Sequence, residues 1–106
     1  MNRKEIERRR TELARCENKT EEMRLEEREL WFRGMINSCL TYGGPSQIHD
    51  GKTWGRYGRD YAKELGDERA MRVWEDQRDY FNKHAKVYYA TYTDSEGCTY
   101  NSVAWE

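Results

Sequence analysis

The sequence predicts an α+β chain, with a long N-terminal amphipathic helix, two shorter helices and a C-terminal antiparallel β-hairpin. Three observations carry that expectation. Residues 3–33 hold neither proline nor glycine and are dense in Glu and Arg. Residues 68–84 place apolar side chains at helical spacing, as a core-facing helix does. Residues 86–93 gather β-branched and aromatic residues ahead of Asp94-Ser95-Glu96-Gly97, a strand composition followed by a turn.

At 106 residues the length fits a single domain over 1–106. Residues 1–33 form its helical arm, a candidate dimerisation element, and 34–106 a small α+β body with a glycine-rich loop at 43–58. Hydrophobic residues make up 36% and charged residues 37% of the chain, and the mean hydropathy is -1.26. Such a composition borders on disorder. Four Trp, eight Tyr and a single proline argue for a small aromatic core instead, because each aromatic buries a large area. Net charge is -1, which gives no global field for nucleic acid. Three cysteines are too few for a disulfide scaffold or a zinc site and read as reduced thiols. No leader or bilayer-spanning run is read, so the expected location is the cytoplasm, that of a host cell if the chain is phage-encoded.

The first helix carries a heptad seam. Ile6, Leu13, Thr20 and Glu27 take the a positions and Arg9, Cys16, Met23 and Leu30 the d positions, and five of these eight are apolar. A narrow seam of this kind asks for a partner helix. Ile6, Leu13, Cys16, Met23 and Leu30 are therefore the expected dimerisation set, in coiled-coil fashion. Residues 2–15 are net basic and 16–33 net acidic, so two copies packed antiparallel would match charge. The alternative is a second helix of the same chain covering the seam. Residues 31–42, the most apolar stretch, are expected to continue past Gly34 into the core.

The loop at 43–58 contains five of the eight glycines and the only proline, and loops of this length are often functional. A short helix over about 56–65 follows, with Tyr57, Tyr61 and Leu65 on one face. Gly66 should end it and Asp67 should cap the next helix. That helix presents Ala70, Val73, Trp74, Gln77, Phe81 and His84, and the hairpin over 86–105 completes the chain.

Chemistry-bearing groups are sparse. Cys39 with His49 and Asp50 offers the residue types of a nucleophilic triad without its strand–helix setting. Glu75, Asp76 and Asp79 with His84 lack convergent ligands from a second element. Gly51-Lys52-Thr53 lacks the first glycine of a phosphate loop, since Ser46 stands there. Catalytic residues, metal ligands and cofactors are accordingly expected to be none, and the chain is expected not to be an enzyme.

Two binding features remain. Trp54, Arg56, Tyr57, Arg59 and Tyr61 combine the residue types that dominate interface energetics and form the expected partner-binding set. Arg8, Arg9 and Arg10 could contact phosphates along a helix, although Glu5, Glu7 and Glu12 are interleaved with them. The expected function is a small protein-interaction module, homodimeric, that binds and modulates another protein or a nucleoprotein complex. Size and composition fit accessory proteins of phages or mobile elements, such as inhibitors of host defence nucleases. The alternative is a dimeric nucleic-acid-binding regulator using the basic N-terminal helix.

Overall fold

A computed structural model describes residues 1–42, 54–56, 58–93 and 95–105, with side chains for 1–41, 54–56, 58–84 and 95–98. Four helices run in order, α1 (Arg3–Ala14), α2 (Glu21–Tyr42), α3 (Arg59–Leu65) and α4 (Asp67–His84).

The single long helix expected over 2–33 is two helices. Asn2 opens α1 with a capping box. Its side chain accepts from the Glu5 amide at 2.8 Å, and its own amide donates to the Glu5 carboxylate at 3.3 Å, which satisfies two end donors. The last turn tightens, with the Cys16 amide donating to the Leu13 carbonyl. Thr20 then restarts the chain as α2. Its hydroxyl accepts from the Met23 amide at 3.1 Å, and Glu21 and Glu22 fill the first turn, where the helix dipole favours anions. No glycine or proline marks the break. Thr20 does so, its hydroxyl capping the new helix in place of a continued ladder.

The break folds α1 back along α2. Ile6, Leu13 and Leu30 bury one another, with Met1 and Met23 packed at the edge. The seam is thus covered from within the chain. Charge matching is also internal, since Arg9 of α1 meets Glu26 of α2.

The opposite side of α2 faces α3 and α4. Phe32 and Ile36 join Ala62, Leu65, Val73 and Trp74 in the main core. The stripe read from α4 is buried at Ala70, Val73, Trp74, Gln77 and Phe81, while His84 is exposed and stacks on Tyr80 with ring centroids 4.3 Å apart. Gly66 separates α3 from α4 at φ +84° and donates to the Ala62 carbonyl at 2.9 Å. That backbone conformation suits glycine. Asp67 is the first residue of α4, one position inside the expected cap.

The α+β class is corrected to a helical one. Among the residues whose side chains are described, 77% are helical and none lies in a strand or sheet. Among those residues no β-hairpin is seen. Beyond His84 the backbone runs as two strands, Ala85–Thr93 and Thr99–Trp105, paired antiparallel, whose side chains lie outside the described residues. The physical reason for the class is that α2 is apolar on two sides. Among the described residues α1 covers one side and α3 with α4 the other.

Arginine–carboxylate pairs cross three of the helix junctions. Arg9 reaches Glu26 at 2.7 Å, Arg28 pairs with Glu64, Arg33 reaches Asp76 at 2.5 Å, and Arg69 reaches Glu22 at 2.7 Å and Glu29 at 2.5 Å. Each of these bridges has one end on α2. Partly exposed pairs contribute little apiece, but together they fix the register of three helices on a central one.

Gly34 sits inside α2, and among the described residues an added Cβ would meet nothing within 4 Å. Gly34→Ala is therefore expected to stabilise the fold by roughly 0.5–1 kcal/mol, the helix-interior difference between the two residues. Thermal unfolding followed by circular dichroism checks this. An unchanged or lowered midpoint would contradict the open space at that position.

Candidate functional site

α1 and α2 position the most distinctive exposed feature. Trp31 lies off both apolar sides of α2 and is 48% exposed, the one large hydrophobic so exposed among the described residues. The Arg10 guanidinium lies over its ring, 3.6 Å from the centroid. An open hollow of about 490 Å³ surrounds the pair, lined by Glu7, Arg10, Thr11, Ala14, Glu27 and Trp31. Of the lining residues, Glu27 is bridged by Lys19 at 3.0 Å. A cation over an indole holds the ring without removing it from water.

The expected partner-binding set divides. Trp54 and Tyr61 turn inward onto Phe32, Tyr61 stacked at 5.4 Å between centroids and Trp54 edge-on at 5.7 Å. The Trp54 indole NH donates to Asp67 at 3.3 Å. Arg56 and Arg59 are exposed, and Tyr57 lies outside the described residues. These aromatics fasten the end of the loop to the core.

The arginine run also divides. Successive helical residues point about 100° apart, so Arg8, Arg9 and Arg10 face three ways. Arg9 makes three hydrogen bonds to Glu26, at 2.7, 2.9 and 3.2 Å, and one to Glu12 at 3.0 Å. Those bonds hold its proton still more firmly than usual, Glu26 contributing most. Arg10 is on Trp31, and only Arg8 points outward without such a contact. The run does not form a comb for phosphates. Of the dimerisation set, Ile6, Leu13 and Leu30 are 3%, 1% and 2% exposed inside one chain. Met23 is half-buried and Cys16 is exposed in the turn.

The other chemical groups stay apart. Cys39 is half-buried, and burial pushes its thiol above the usual range, which lowers its thiolate fraction. Its sequence partners His49 and Asp50 lie outside the described residues, as does Gly51-Lys52-Thr53. Asp76 is engaged by Arg33. Among the described residues no group of three His, Cys, Asp or Glu could hold a metal ion, and no helix is long and apolar enough to cross a membrane. On α4, Arg69 bonds to Glu22 and holds that carboxyl below its ordinary range.

Sequence reasoning missed the Trp31–Arg10 pair. The available signal was that Trp31 belongs neither to the Leu30 side of α2 nor to the Phe32–Ile36 side. No family model matches the chain, and neither a curated protein nor a solved structure is similar to it.

Proposed function

We propose that the chain is a protein-interaction module that binds and modulates a partner protein through the flank of the α1–α2 hairpin centred on Trp31. One observation carries this reading. A chain with a small core leaves a tryptophan 48% exposed in an open hollow, with an arginine laid on its ring. Trp and Arg are the residue types most enriched among interface hot spots, where the ring supplies apolar area and the guanidinium directed polar contact. Burying the remaining indole surface needs a second molecule, because both apolar sides of α2 are already covered by α1 and by α3 and α4.

Site-specific photocrosslinking tests the proposal. A photoreactive amino acid replaces Ala14, exposed in the same hollow with Trp31 left in place, in one variant and Glu75, exposed on α4, in another, both expressed in the organism that encodes the chain. A discrete protein adduct at position 14 and none at position 75 is the expected result. No adduct at 14, or the same adducts at both positions, would remove the Trp31 flank as the binding surface.

A further inference from the structure

We infer that the segment the partner presents to this flank is acidic and carries an apolar anchor, an inference that rests on the interaction function proposed above. The argument is an account of which charges on α1 are already used. Glu12 and Glu26 are taken by Arg9, and Glu5 caps Asn2. Among the described residues the side chains of Arg3, Lys4, Arg8 and Arg15 have no carboxylate partner, and all four are exposed. Against them stand the exposed, unbridged carboxylates Glu7 on α1 and Glu17 in the turn beyond Arg15. Internal pairing thus converts a helix of mixed charge into one with a cationic outer face.

Lys4, Arg8, Thr11 and Arg15 follow at spacings of four, three and four residues, so they share one face over roughly 16 Å at 1.5 Å per residue. That face lines an open hollow of about 490 Å³ with Glu7 and Glu12. Glu7 and Thr11 also line the Trp31 hollow, so the cationic face and the exposed indole are one continuous surface. A complementary ligand sets carboxylates along the Lys4–Arg8–Arg15 line and an apolar side chain against Trp31. Electrostatic complementarity of this kind steers encounter and fixes register. Nucleic acid fits less well, since Arg9 and Arg10 of the arginine run are already engaged.

The probe is a synthetic helical peptide of about 20 residues with Glu on one side and Leu on the other, read by fluorescence anisotropy. The comparison ligands are the same peptide with Lys for Glu and a single-stranded oligonucleotide. The Glu peptide is expected to bind more tightly at about 0.01 M than at about 0.15 M ionic strength. Lys4→Glu, Arg8→Glu and Arg15→Glu together should weaken it about tenfold or more. Trp31→Ala should weaken it independently, and Glu7→Gln should tighten it about twofold. A milder triple variant with Gln at positions 4, 8 and 15, checked by circular dichroism, guards against a folding artefact. Equal binding of the Lys peptide, indifference to the charge changes, or tighter oligonucleotide binding unaffected by Trp31→Ala would each overturn the inference. The two readings fail separately. A crosslink at position 14 that persists in the triple variant keeps the interaction function and discards the acidic partner. Absence of any crosslink in the otherwise native chain discards the function itself.

Discussion

Phe32→Ala is expected to cost about 3–5 kcal/mol, the range for emptying a buried phenylalanine site, and so to leave the chain largely unfolded near physiological temperature. Phe32 is 0% exposed and stands where α2, α3 and the end of the loop converge, with Tyr61 stacked on it and Trp54 edge-on. Removing the ring creates a cavity and also strips both aromatics of their contact. The usual stability of a domain is roughly 5–15 kcal/mol, and a chain with this little apolar surface has small reserve. Phe32→Leu retains most of the volume and should cost less than half as much. Denaturant unfolding followed by circular dichroism measures both. Equal, small effects would show that Tyr61 and Trp54 do not depend on Phe32, and their docking would have to be redrawn.

How much of this was legible in the sequence depended on whether a signal was local. The α4 stripe from Ala70 to Phe81 repeats at helical spacing within one element, and the structure buries those residues. Gly66 announces its own positive φ, because only its missing Cβ explains a glycine at a helix end. The break after Ala14 was hidden, since its signal, Thr20, sits in a run that otherwise favours helix. Reading through it joined Leu13 and Leu30 into one seam, when they are partners across a turn. The class was misjudged for a related reason. Strand composition at 86–93 was weighed by itself, whereas the two-sided apolar character of α2 emerges only once α1 is folded back on it. The functional surface was the least legible part. Arg10 and Trp31 are distant in sequence and meet only in the folded chain, and whether Arg8 or Arg9 is available to a ligand depends on Glu26, a residue of another helix.

The second large effect concerns the polar centre of the bundle. Gln77 is 0% exposed. Its amide nitrogen donates to the Asn37 side-chain oxygen at 2.7 Å and to the Met1 carbonyl at 2.9 Å. Its oxygen accepts from Arg33 at 3.1 Å and from the Met1 amine at 3.3 Å. One side chain thereby ties α4 to α2 and to the residues preceding α1. Among the described residues the buried Asn37 amide nitrogen has no partner. Gln77→Leu keeps similar volume but orphans the Asn37 oxygen and the Met1 carbonyl. It is expected to cost about 2–4 kcal/mol, since each buried polar group left unpaired costs roughly 1–3 kcal/mol. Asn37→Leu alone removes the unpaired nitrogen but takes away a partner of Gln77. In the double variant the Asn37–Gln77 pair is gone as a whole and only the Met1 carbonyl has lost its donor, and apolar replacement of a complete polar pair is often close to neutral. The double variant should therefore cost about 1–2 kcal/mol less than the two single losses added together, a coupling of the size found for residues in one network. Denaturant titration of all four proteins measures it. Strict additivity would mean that Gln77 and Asn37 do not act as a unit. A double variant as stable as the parent would assign this network to fixing how the helices align and not to holding them together.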